Sequence, residues 1–259
     1  MPNENLLAIT PIDGRYESRT KCLSDYFSEF ALIKTRVEVE INWLILISNN
    51  KSLSFIPNLS LGQQKKVLNI FKEFSIQDAR EIKKIEKKTN HDVKAIELFI
   101  VKKLKKLKLN KLCEFVHFCC TSEDINNLSY SLMLQRFLNQ EFSPAMGDLQ
   151  KKLSSLAKKW SKISMLAFTH GQPASPTTLG KEFANYSYRL TFHLDLIKSS
   201  KQKGKFNGAS GNYNAHLIAS QKINWESLSK RFVNSLGLNF SSHSTQIELK
   251  DAMACQLSN

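Results

Sequence analysis

Four short stretches of this 259-residue chain carry side chains suited to moving protons and gripping anions. Thr169-His170-Gly171-Gln172-Pro173, followed by Ala174-Ser175-Pro176, sets one imidazole in a turn just ahead of a long amphipathic run. An imidazole so placed is a candidate proton carrier, because its ordinary pKa of ~6.5 suits transfer near neutrality. Thr121-Ser122-Glu123-Asp124 has the spacing of a capping box ahead of Ile125, Leu128 and Leu132, which puts a hydroxyl beside the unpaired N–H groups of a helix start. In Asp13-Gly14-Arg15-Tyr16 the guanidinium can hold an oxyanion with two parallel bonds, although Arg15 beside a glycine also fits a plain surface turn. His91, within Asn90-His91-Asp92, precedes a helical pattern and is either a cap neighbour or a binding group.

Long helices must hold these groups. Phe30, Ile33, Val37, Ile41 and Leu44 recur by three or four residues, as do Val93, Ile96, Ile100 and Leu104. Met146, Leu149, Leu153, Leu156, Trp160 and Ile163 form a longer stripe, matched by Leu179, Phe183, Tyr186, Leu190, Leu194 and Ile197. Two helices joined by the 169–178 turn are expected to lie antiparallel in a bundle, with Ser175 as N-cap and Pro176 at the first helical position. No alternating strand pattern stands out, so the expected class is all-α. A domain boundary is placed near residue 110, giving an N-terminal helical domain over 1–110 and a bundle domain over 111–259. Lys205-Phe206-Asn207-Gly208-Ala209-Ser210-Gly211 is rich in glycine but lacks the strand-then-helix G-x-G-x-x-G arrangement, which argues against a dinucleotide fold.

Hydrophobic content of 42% and aromatic content of 10% exclude a disordered chain. Met1–Thr10 has no basic start followed by an apolar core, and Ile41–Ile47 is short and broken by Asn42, so neither a leader nor a membrane partner is expected. The five cysteines lack C-x-x-C spacing; no metal is expected, and the thiols read as reduced in a cytoplasmic protein. A net charge of +14 raises the question of nucleic acid. Only 7 of the 37 basic residues are arginine, and the lysines alternate with Ile85, Leu104 and Leu107 as on a solvated helix face, so no nucleic-acid partner is expected.

Six ordered blocks, taken together, resemble the adenylosuccinate lyase family of the fumarase/aspartase superfamily. They are Thr10-Pro11-Ile12-Asp13-Gly14-Arg15-Tyr16, Thr89-Asn90-His91-Asp92-Val93-Lys94-Ala95, Phe118 to Asn127, Thr169 to Pro173, Gly208 to His216, and Thr245-Gln246-Ile247-Glu248. The resemblance implies an N-terminal helical domain plus part of a long-helix bundle, a homotetramer, and no cofactor. It further implies elimination of fumarate from succinyl-amino purine nucleotides in purine biosynthesis. His170 then becomes the catalytic proton donor, and Arg15, Tyr16, Asn90, His91, Asp92, Thr121, Ser122 and Gln246 bind the phosphate or carboxylates of the substrate. His117 and His216 fall within matched blocks without an assigned role.

The superfamily's Ser-Ser-x-Met-Pro-x-Lys-x-Asn loop, whose serine is the base, does not occur in these 259 residues. The chain is therefore expected to be a truncated form, lacking the base, the rest of the bundle and the C-terminal domain, and inactive alone. Two alternatives remain: another fumarate-releasing lyase such as argininosuccinate lyase, which the Asp13–Tyr16 and Asn90–Asp92 blocks disfavour, and a non-catalytic helical interaction module derived from the lyase.

Overall fold

The computed structural model describes residues 8–259; residues 1–7, and with them most of the stretch read for a leader, lie outside the described residues. Helices dominate, as the apolar periodicity requires. The chain forms two compact units, one running up to Leu134 and including Gln202–Leu249, the other made of Gln135–Lys201 with Lys250–Asn259. Residue 110 lies inside the first unit, at the start of the 3-10 turn Asn110–Phe115.

After short helical turns at Glu17–Thr20 and Ser24–Phe27, the first unit is built from α1 (Glu29–Ser48), α2 (Leu61–Lys72), α3 (Ile76–Thr89), α4 (Asp92–Lys106) and the start of α5 (Ser122–Phe137). Local chemistry sets these boundaries. Ser28 accepts from the amide of Ala31 at the start of α1, while Ser60 with Gln63 and Ser75 with Asp78 form complete capping boxes for α2 and α3. Asn90 closes α3 in the left-handed conformation at φ 51°, which asparagine adopts more readily than most residues.

The expected stripes face the core: Val37, Ile41 and Leu44 of α1 and Val93, Ile96, Ile100 and Leu104 of α4 are all buried. Burial around α1 is wider than its stripe, enclosing Trp43 and Ile47 and also Arg36 and Glu40. Trp43 stacks within 4.4 Å of Phe206 and 5.1 Å of Phe232, which ties α1 to the glycine-rich segment and to α8 (Trp225–Ser235, numbered after α6 and α7 of the second unit). Two short strands, Lys203–Gly204 and Asn239–Phe240, pair in parallel between these pieces.

In the second unit a π-helical turn, Leu138–Phe142, leads into α6 (Ser143–Lys159), and α7 (Leu179–Ser199) follows after a β-hairpin. The hairpin corrects the expected helix-to-helix turn. Strands β1 (Ser164–Thr169) and β2 (Gln172–Thr178) pair antiparallel, and His170 and Gly171, both at positive φ, form the two-residue turn between them. Ser175 and Pro176 lie in β2 rather than capping a helix, because a two-stranded hairpin has free edges where proline forfeits no ladder bond; the N-cap of α7 is Thr178.

The seam between α6 and α7 also differs from expectation. Ser154 and Ser187 hydroxyls bond at 2.8 Å, Gln150 donates to Ser187, and Trp160 meets Phe183 at one end, with ring centroids 4.9 Å apart. Leu149, Ile163, Tyr186, Tyr188 and Phe192 are exposed. Serines and glutamine thus share the α6–α7 seam with the Trp160–Phe183 contact, and part of each apolar stripe is left exposed. The final helix, α9 (Asp251–Ser258), joins this unit through Gln256, whose amide donates to Ile197 O at 3.0 Å. Among the described residues no helix is long and apolar enough to cross a membrane.

Close approach explains one glycine. A Cβ on Gly180 would come within 2.4 Å of the Ala157 carbonyl oxygen, whereas one on Gly147 of α6 would meet nothing within 4 Å. Gly180→Ala is therefore expected to destabilise the chain by about 1–3 kcal/mol, and Gly147→Ala to stabilise it by about 0.5–1 kcal/mol. Thermal unfolding of the two variants against the parent checks this; equal midpoints would contradict the packing described.

Candidate active site

Three chain segments of the first unit converge on the start of α5. Asp124, in the first turn of that helix, is fully buried and accepts from the amide of Thr121 at 2.9 Å, the half of the expected capping box in which the carboxylate reaches back. The same carboxylate accepts from the amides of Asn207 and Gly208, both at 3.1 Å, and pairs with the Lys205 ammonium at 2.9 Å. Lys205 is also fully buried, and its ammonium donates to Gly208 O. One helix turn beyond Asp124, Asn127 binds the Lys205 backbone reciprocally, accepting from its amide and donating to its carbonyl. The segment then meets the third piece of chain: Asn207 donates to the Ser244 hydroxyl at 2.7 Å, and Gly211, at φ 81°, lies so close that a Cβ would fall 2.3 Å from Ser244 O. The Thr121–Asp124 helix start, the Lys205–Gly211 run and the Ser244–Thr245 loop that precedes Gln246 are thereby joined.

The approach to Thr121 is strained and pinned. His117 and Cys119 both have φ of 60°, unfavourable for residues with a side chain. His117 Nδ1 lies 2.6 Å from the fully buried Glu40 carboxylate, and Trp43 donates its indole N–H to Phe118 O at 2.9 Å. Burial works against the charged His117 imidazole, but Glu40, then Glu97 and Asp124, outweigh it and raise its pKa. His216 behaves oppositely: burial, joined by Lys205, pushes it down to about 4 against the pull of Asp124. Both its ring nitrogens lack a hydrogen-bond partner, and Tyr213 and Trp225 rings surround it. Burial lifts the thiols of Cys119, to about 11, and Cys120, which fits core cysteines rather than ligands.

Around residue 90 the side chains have structural duties. His91 is the N-cap of α4, its Nδ1 accepting from the Lys94 amide at 3.1 Å. Asp92 pairs with buried Arg36 at 2.8 Å; burial raises the carboxyl's pKa, and Arg36 and the Val93 amide more than reverse that. Arg36 and Glu40 lie one helix turn apart on α1, so one face of that helix holds both the Asn90–Asp92 turn and the His117 loop. Sequence periodicity missed this pair, along with Lys205 and Asn127. The available signal was charged residues beside an apolar stripe, at Arg36 and Glu40. Arg15 stacks over the Tyr16 ring at 5.7 Å, and both are exposed, as are Asn90 and Gln246. His170 belongs to the second unit, exposed at the hairpin tip. Several lysines of the basic runs have carboxylate partners, among them Lys83 with Glu29, Lys102 with Glu81 and Lys103 with Asp78. Among the described residues no cluster of three or more potential metal-ligating side chains occurs.

A family profile described as Lyase matches residues 14–258. This chain belongs to that lyase family. Adenylosuccinate lyase of Buchnera aphidicola subsp. Schizaphis graminum is 44% identical over 255 residues, covering 98% of this chain and 56% of the relative. The Legionella pneumophila enzyme of the same name is 43% identical, with 96% and 55% covered, and that of Escherichia coli 41%, with 98% and 56%. This lyase chain thus spans a little over half the length of these relatives. Among solved structures, a fumarate lyase from Mesorhizobium superposes with a TM-score of 0.74 at 17% identity, covering 92% of this chain and 52% of that one. A β-carboxy-cis,cis-muconate cycloisomerase from Acinetobacter calcoaceticus gives 0.72 at 19% identity, with 94% and 55% covered. At such identities the likeness concerns the fold.

The two perturbed imidazoles set a pH profile. A raised folded pKa at His117 contributes stability that is complete below the ordinary imidazole range and is lost as pH rises through the raised value. A lowered folded pKa at His216 means the folded state resists a proton that the unfolded chain accepts, so stability is lost as pH falls from the ordinary value toward about 4. Thermal midpoints are expected to peak between these limits and decline on both sides. Imidazole NMR titration should place the His117 and His216 transitions on opposite sides of ~6.5; coincident transitions would contradict the burial and pairing described.

Proposed function

We propose that this chain carries the nucleotide-binding part of an adenylosuccinate lyase, which releases fumarate from adenylosuccinate to give AMP and from the succinyl-carboxamide ribotide of the same biosynthetic route. The observation that carries the proposal is identity of 41–44% to proteins of that name across nearly the whole chain. A helix start beside Thr121 and Ser122, clamped by Asp124, is the physical counterpart. The two hydroxyls there, at the positive end of a helix dipole, suit a phosphate or carboxylate.

In the proposed reaction a base removes a proton from the succinyl β-carbon and the electron pair forms the fumarate double bond. The C–N bond breaks, and the departing nitrogen takes a proton from His170. Support for His170 as donor is its exposed imidazole at a two-residue turn, open to a substrate that other elements hold. Arg15, Asn90, Thr121, Ser122 and Gln246 would hold the anionic groups, with Tyr16 beside Arg15. His91 and Asp92 would act through the cap and ion pair that shape the residue-90 turn. The base in this proposal is a serine in the superfamily's Ser-Ser-x-Met-Pro-x-Lys-x-Asn loop, which lies outside these 259 residues. Exposed apolar side chains of the second unit, among them Leu149, Ile163, Tyr186 and Phe192, support the further proposal of a homotetramer, and five free cysteines suit the cytoplasm. The division into domains near residue 110 is proposed for the assembled enzyme.

Calorimetry with AMP tests the reading. The chain is expected to bind AMP, and Ser122→Ala or Arg15→Met to weaken binding by about tenfold, the scale of a charge-assisted hydrogen bond. The same preparation should leave adenylosuccinate unconverted. Absence of AMP binding would sink the proposal, and turnover by the isolated chain would sink the assignment of an external base.

A further inference from the structure

Lys205 is the unusual feature of the cluster. Its ammonium is fully buried, held 2.9 Å from the Asp124 carboxylate and 2.9 Å from Gly208 O, and so cannot itself touch a substrate at the surface. Burying two opposite charges gains little stability over an apolar pair of the same shape, since desolvation offsets most of the attraction. What such a pair supplies is registry: a carboxylate and an ammonium with fixed hydrogen-bond directions accept one alignment of the segments they join, where aliphatic side chains tolerate several. Here the joined segments are the Thr121–Asp124 helix start and the Lys205–Gly211 run. The run in turn abuts the Ser244–Thr245 loop, next to Gln246, through Asn207 and Gly211.

We propose that Lys205 is a positioning residue for the nucleotide site, setting the register in which Thr121, Ser122 and Gln246 present their polar groups to one anion. The proposal rests on the reading that these three residues bind the nucleotide. Asn127 reinforces the same register by pairing with both backbone groups of Lys205, so the alignment is fixed at side chain and main chain together. A slip of one residue would bring a different amide to Asp124 and break the bond from Asn207 to Ser244.

The test compares Lys205→Met with the double variant Lys205→Met/Asp124→Asn, each measured for its thermal midpoint and for AMP binding by calorimetry. The single variant leaves a buried carboxylate unpaired and is expected to unfold at lower temperature. The double variant removes both charges and is expected to recover most of the midpoint while its AMP affinity stays at least about tenfold below the parent's, one hydrogen-bonded anion contact. If the neutral double variant recovers AMP affinity along with the midpoint, the pair is a stability element and the proposal is overturned. Hydrogen exchange on the unaltered chain gives a reading that needs neither folding of a variant nor a ligand. The amides of Asn207 and Gly208 should be protected to the same degree as those of α5, and exchange at unprotected rates would overturn the lock. A parent chain that does not bind AMP but protects those amides would refute the nucleotide reading while leaving the register lock standing.

Discussion

Asp124 lies in the interior with its carboxylate surrounded by the amides of Thr121, Asn207 and Gly208 and the ammonium of Lys205. A buried carboxylate is tolerated only when its lone pairs are met, so each of these donors is constrained to its position once the helix start is folded. Residues more than 80 positions apart in sequence are thereby brought to one point. The Thr121–Ser122 turn, the glycine-rich segment and the Ser244–Thr245 loop are joined through these contacts.

Helix α1 pins the segment that leads into this helix start, and the residue-90 turn as well. Its Glu40 holds His117, its Trp43 holds Phe118 O, and its Arg36 holds Asp92. Left-handed conformations at His117 and Cys119 would be costly in isolation, and these contacts offset that cost. Buried charges on a core helix are thus tied to chain segments flanking the proposed site. The core of the first unit, centred on Trp43, Phe206 and Phe232, is continuous with them.

Much of this was legible in the sequence, for identifiable reasons. Periodicity located α1, α4, α6 and α7 because three-or-four spacing of apolar residues has one structural solution, and S/T-x-x-D spacing located the start of α5. The hairpin at 164–178 escaped because its strands, with prolines at 173 and 176 and the exposed pattern of a free two-stranded ribbon, carry no alternating burial signal. The polar seam between α6 and α7 escaped because a stripe tells which face is apolar, not which face meets the nearest helix. The candidate residues that could be named from motifs are exposed or half-buried. The buried partners that hold them, Arg36, Glu40, Asn127 and Lys205, have no local pattern, since their partners lie far along the chain.

The proposed function requires a preassembled nucleotide surface on the first unit at the start of α5. Amide hydrogen exchange measured with and without saturating AMP tests it most directly. Added protection is expected at 121–124, 207–211 and 244–247, with the Leu179–Ser199 helix unchanged. Protection spread evenly over the chain, or confined to segments outside those three, would contradict it.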